Sequence, residues 1–104
     1  VAETKLSKSI RTGLERLGYW VIRVQSGVLP VQKFGKLYFV HCAEAGTPDL
    51  LVIAPVWCFL EVKTAKGRLN DDQKAWHAKA KKRGVPVKVV RSLSEALKEL
   101  KSYE

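Results

Sequence analysis

Residues 46–63 read Gly46-Thr47-Pro48-Asp49-Leu50-Leu51-Val52-Ile53-Ala54-Pro55-Val56-Trp57-Cys58-Phe59-Leu60-Glu61-Val62-Lys63. Leu50 to Ile53 is a short apolar run, the pattern of a strand buried on both faces. Ala54-Pro55-Val56 turns the chain, and Trp57 to Thr64 forms the next strand, so the two segments should pair antiparallel. Alternation along the second strand puts Trp57, Phe59, Glu61 and Lys63 on one face and Cys58, Leu60 and Val62 on the other. Pro48 fixes its own φ and keeps Thr47 out of the helical region, so the chain approaches Asp49 extended. In an antiparallel pair the start of one strand lies beside the end of the other. Asp49 is therefore expected next to Glu61, with Lys63 adjoining.

Outward from this hairpin the periodicity is clear. Leu6, Ile10, Leu14 and Leu17 recur at helical spacing over residues 2–17, and Gly18 is a natural stop. Tyr19 to Val24 is aromatic and β-branched, a strand pattern. Gly27, Pro30 and Gly35 mark a loop or a wide hairpin before a strand from Leu37 to His41. After Lys63, Asn70-Asp71-Asp72-Gln73 opens a helix with the spacing of a capping box, and the helix ends before Gly84. Val85 to Arg91 reads as a strand that Pro86 confines to an edge. Ser92 to Leu100 forms a last helix with Ser92 and Glu95 spaced as a second capping box. The expected order is α-β-β-β-β-α-β-α, one α/β domain over residues 1–104 with a mixed sheet flanked by helices.

Composition narrows the function. The 104 residues carry 19 Lys plus Arg against 10 Asp plus Glu, a net charge of +9. The excess is spread along the chain, with 10 basic and 5 acidic residues in 1–69 and 9 and 5 in 70–104, so it is not a detachable arm. Lys79, Lys81, Lys82 and Arg83 sit where a helix dipole favours cations, but a surplus of nine opposes folding unless a polyanion uses it. Nucleic acid is the usual such partner. With 46% hydrophobic residues the chain can build a core. No apolar run approaches the roughly 20 residues of a membrane span, and the N-terminus lacks a signal-peptide pattern. Cys42 and Cys58 make neither a disulfide framework nor a zinc motif. A soluble, cytoplasmic domain with no membrane partner is expected.

Asp49, Glu61 and Lys63 each have an ordinary structural explanation: a turn aspartate bonding its own backbone, and a neutralised pair at a sheet edge. Their convergence favours chemistry. Two carboxylates with waters suit Mg²⁺ or Mn²⁺, a bound cation polarises a phosphoryl oxygen, and a nearby ammonium can hold the attacking water or offset charge on phosphate. Glu3 falls on the apolar stripe of the first helix, with Leu6 and Ile10, so it either sits at the frayed helix start, stabilised by the dipole, or faces a buried metal site. Gln73 is spaced to cap its helix and also shares a face with Trp76 and Ala80.

The ordered set Glu3, Gly46-Thr47-Pro48-Asp49, Glu61-Val62-Lys63 and Gln73 resembles the PD-(D/E)XK nuclease superfamily and, more narrowly, its VRR-NUC (virus-type replication-repair nuclease) domains. The similarity extends over Leu17 to Val24 and Lys66-Gly67-Arg68-Leu69. It implies a restriction-endonuclease-like fold and a metal-dependent DNA endonuclease, with Asp49, Glu61 and the backbone carbonyl of Val62 ligating Mg²⁺ or Mn²⁺. Lys63 would position or activate water, Glu3 would support the metal through water, and Gln73 would orient the lysine or the scissile phosphate. It also implies action on branched or flapped DNA in repair, a phage-type homodimer and no small-molecule cofactor. A two-fold dimer could address a symmetric four-way junction.

Other residues keep plainer expectations. His41 and His77 lack ligand spacing and read as structural or surface residues. Trp20, Trp57 and Trp76 read as core or dimer-interface anchors in preference to base-stacking platforms. Lys5, Lys8, Arg23, Ser26, Lys33, Lys36, Lys66 and Arg68 are candidates for phosphate contacts. The competing functions are a non-catalytic basic nucleic-acid-binding module and an assembly domain that meets an acidic protein.

Overall fold

The computed structural model describes residues 2–24, 28–41 and 43–104. Helix α1 (Ala2–Arg16) is followed by β1 (Trp20–Arg23), β2 (Val28–Lys33), β3 (Lys36–His41), β4 (Leu50–Ala54) and β5 (Cys58–Val62), then α2 (Asp71–Lys82), β6 (Val87–Val90) and α3 (Leu93–Lys101). The expected order holds with one strand added, since the wide hairpin is a pair of six-residue strands. Gly18 stops α1 as expected. With φ 94° it lets its own N–H reach the Glu15 carbonyl at 3.1 Å and the Tyr19 N–H reach that of Leu14 at 3.0 Å.

Four strands form the main sheet in the order β1-β4-β5-β6. β4 is antiparallel to both β1 and β5, while β6 joins β5 in parallel after the α2 crossover and lies at the edge. One face carries Val21, Leu50, Val52, Cys58, Leu60 and Val62, sealed by Ile10 and Leu14 of α1 and by Ala96 and Leu100 of α3. Replacing a core leucine such as Leu60 by alanine costs about 2–5 kcal/mol in a site of this kind. The opposite face is covered by α2 over β5, where Trp76 meets Phe59 edge-on at 5.0 Å between ring centroids. β4 is consequently sealed on one face only: Leu50 and Val52 are buried, whereas Leu51 and Ile53 are partly open. A strand enclosed on both faces was expected, but among the described residues no helix lies over this half of the second face. Trp20 and Trp57 are 61% and 52% exposed, so neither is a core anchor.

β2 and β3 form a separate two-stranded ribbon in register from Val28–His41 to Lys33–Lys36. Its turn is only Phe34-Gly35, with φ of 54° and 73°. Among the described residues no helix is long and apolar enough to cross a membrane.

Candidate active site

The β4–β5 ladder sets Leu50 opposite Leu60, so the next step along it brings Asp49 to Glu61. Asp49 is fastened on two sides. Its carbonyl accepts the Val24 N–H at 2.7 Å, and its carboxylate Oδ2 accepts the Val62 N–H at 3.3 Å. The carboxylate thus bonds across to β5, which replaces the turn-aspartate explanation.

The loop before Asp49 is docked onto α2. Thr47 Oγ1 donates to the Glu44 carbonyl at 2.6 Å, closing a tight turn. Gly46 has φ 90°, and a Cβ there would overlap the Asp72 carbonyl and come within 3.0 Å of the Gln73 nitrogen. Only glycine meets both demands. The loop that carries Asp49 and the helix turn that carries Gln73 are therefore held as one unit.

Glu61 is fully buried, and Lys63 is 6% exposed. Glu61 Oε2 accepts from Gln73 Nε2 at 3.5 Å, and its Oε1 lies 3.4 Å from His77 Nε2. Gln73 also completes the capping box: its Oε1 accepts the Asn70 N–H at 2.9 Å, and its own N–H donates to Asn70 Oδ1 at 2.9 Å. The two expectations for Gln73 hold together. With the amide oxygen engaged at the cap, its NH₂ must face Glu61.

Lys63 Nζ lies 3.6 Å from Glu3 Oε1, so Glu3 faces the site from the first turn of α1. The Lys63 N–H donates to the Val90 carbonyl at 3.0 Å. Just beyond it, Arg91 Nη1 donates to the Thr64 and Gly67 carbonyls at 2.5 and 2.7 Å, holding the turn that leaves the site. Glu3, Asp49, Glu61, Lys63 and Gln73 are thus gathered at one end of the sheet, with Val62 between two of them.

Two residues were missed by sequence reasoning. His77 is not the remote structural or surface residue expected; it stands one helical turn after Gln73, at i+4, and that spacing carried the signal. Arg91 left no signal, because its carbonyl partners are fixed only by tertiary structure. The side chain of His41 lies outside the described residues.

Electrostatics mark the site. Burial first, and then the negative charge of Asp49, raise the Glu61 carboxyl to about 8, with Lys63 opposing and Glu3 adding to the rise. Burial likewise raises Asp49, against the Val62 N–H bond that lowers it, with Glu3 raising it and Lys63 and Arg23 lowering it. His77 is lowered from 6.5 by burial and then by Lys63, so it is neutral at pH 7. A fully buried carboxylate with two long hydrogen bonds, and no Lys or Arg pairing with it among the described residues, fits a hard divalent cation. Among the described residues no three His, Cys, Asp or Glu side chains could enclose an ion unaided. The donor set that fits is two carboxylates completed by a carbonyl and water.

A cleft of about 390 Å³ opens from Asp49 between α1 and the end of β1, lined also by Glu3, Ser7, Lys8, Arg11 and Arg23. Of the candidate phosphate contacts, Lys8 and Arg23 line it. Lys5 lines a separate hollow with Thr12, Arg16 and Leu93. Lys66 and Arg68 are exposed on the loop after Lys63, Lys33 and Lys36 flank the ribbon turn, and Ser26 lies outside the described residues.

Residues 35–93 match the family model of the VRR-NUC domain. The chain belongs to the VRR-NUC family. A solved structure described as a VRR_NUC domain is 30% identical, with a TM-score of 0.65 over 98% of this chain and 97% of that one. No curated protein matches the chain. The matched span of this VRR-NUC domain contains Asp49, Glu61, Lys63, Gln73 and His77, and Glu3 lies before it. The domain is of nuclease type, and of the acid–acid–lysine cluster its fold buries Glu61 and Lys63.

Proposed function

We propose that this VRR-NUC domain is a Mg²⁺- or Mn²⁺-dependent endonuclease that hydrolyses phosphodiester bonds of branched DNA, four-way junctions or flaps, in replication or repair. The observation that carries the reading is the fully buried Glu61 carboxylate beside Asp49, both raised by burial and Glu61 raised further by the Asp49 charge, an arrangement that a bound cation would relieve. Asp49 and Glu61, with the Val62 carbonyl, would hold the ion, and Glu3 would support it through water. When bound, the ion supplies Lewis acidity toward a phosphoryl oxygen.

The chain's own residues do the rest. Lys63, held by its backbone bond to Val90 and by Glu3, presents an ammonium that orients the attacking water and offsets charge gathering on the phosphate. Water adds to phosphorus, one P–O ester bond breaks, and the products end in a phosphate and a hydroxyl. Gln73 and His77 fix the Glu61 carboxylate, and Lys8 and Arg23 line the cleft along which the backbone would run. We also propose a homodimer, supported by Trp20 and Trp57, two large apolar side chains that the monomer leaves in water.

The test is incubation of labelled four-way junction and flap DNA with Mg²⁺ or Mn²⁺ for the wild type, Asp49→Ala and Lys63→Ala. Cleavage by the wild type alone is expected. Equal cleavage by all three proteins overturns the site, and salt-sensitive binding with no product under either metal favours a non-catalytic binding module.

A further inference from the structure

The β2–β3 ribbon ends in a turn whose chemistry runs against folding. Lys33 and Lys36 are paired across it, which leaves Phe34-Gly35 as a two-residue loop with both φ values positive. Such turns favour Asn-Gly, because the first position must adopt the left-handed region. A bulky aromatic at φ 54° is strained there. Phe34 recovers nothing by packing, since 88% of it is exposed. Leu37 and Tyr38, following on β3, are 59% and 48% exposed. Strain and exposed apolar surface at one position mark a residue kept for contact with something outside the fold.

The lysines say what that contact is. Lys33 Nζ lies 5.4 Å from the centre of the Phe34 ring, and Lys36 stands across the turn. An exposed aromatic ring with one ammonium beside it and a second lysine paired across the turn, on a chain of net charge +9, suits a base whose flanking phosphates take the lysines. We propose that the ribbon tip is a DNA-contacting wedge, in which Phe34 stacks on a base exposed at a branch point while Lys33 and Lys36 hold the adjoining phosphates. In continuous duplex every base is already stacked, so this contact is open only where the helix is interrupted. The tip would thereby supply part of the preference for branched DNA. The inference rests on the reading of the domain as a DNA nuclease.

The test compares wild type, Phe34→Asn and Phe34→Trp for binding to an immobile four-way junction and to a linear duplex of the same sequence, in Ca²⁺ so that binding is read without turnover. Phe34→Asn installs the favoured turn residue and should raise the melting temperature, so weaker binding cannot be assigned to unfolding. Junction affinity should fall about tenfold in Phe34→Asn and return in Phe34→Trp, with duplex affinity unchanged. Junction binding by Phe34→Asn equal to the wild type overturns the wedge and leaves the nuclease reading standing. Dissociation of an oligomer by Phe34→Asn also overturns it, because the tip would then contact a second copy of the chain. Cleavage failing in the wild type, with the junction-specific loss still seen, strikes the nuclease reading and not the wedge.

Discussion

Glu61 is the most informative residue in the molecule. Its carboxyl binds a proton more tightly in the fold, near pH 8, than in the unfolded chain, where its ordinary value is 4.5. The unfolded state therefore binds fewer protons than the fold between those values, and stability must fall as pH rises through them. Metal-free protein is expected to lose melting temperature steadily from about pH 5 to pH 8. Asp49, shifted in the same direction, adds to the loss. Glu61→Gln should flatten this dependence. Mg²⁺ or Mn²⁺ should restore the wild type at pH 8 and leave Glu61→Gln unmoved, which differential scanning fluorimetry reads directly. Lys63→Ala should lower single-turnover cleavage roughly 10²–10³-fold, the scale of a lost charge-stabilising donor, with DNA affinity nearly unchanged. The residue types and spacing of Asp49, Glu61 and Lys63 were readable because strand alternation and a tight turn fix their mutual position. His77 was not read, although its i+4 spacing from Gln73 already placed both on one face of α2.

Among the elements, the docking of the 44–47 turn on α2 and the clamp of Arg91 on the 64–67 turn do the positioning. Gly46→Ala forces a methyl group into the Asp72 carbonyl at a φ that alanine avoids, so the loop must move away from the helix. A melting-temperature drop and loss of cleavage are expected together, because Asp49 and Gln73 lose their common frame. Arg91→Ala leaves two carbonyls without their guanidinium donor and should cost about 1–3 kcal/mol in chemical denaturation. Helix starts and stops were legible, down to the paired bonds of Asn70 with Gln73 and the end of α1 at Gly18. The ribbon was only half legible. Pro30 and the glycines left a loop or a wide hairpin open, and backbone pairing along six residues of each strand made the hairpin a sheet of its own. Its Phe-Gly turn departs from the residues that announce a tight hairpin, so its length was hidden.

The whole molecule joins a strongly basic chain to one small cluster of acids, Glu3, Asp49 and Glu61 around Lys63. Nine surplus positive charges predict DNA binding that weakens steeply with salt, and the slope against log salt should lessen by about one when Lys66 or Arg23 is replaced by alanine. The charge excess and the mixed main sheet were visible in the sequence. The uncovered half of the sheet face was not, because an apolar strand reads the same whether or not a helix covers it. Joint binding of a divalent cation by Asp49 and Glu61 is tested most directly by Mn²⁺ anomalous scattering from a crystal grown with the ion. A single strong peak within ligand distance of both carboxylates, absent in Asp49→Asn, is the predicted result. No peak there, with Mn²⁺ bound elsewhere, would contradict it.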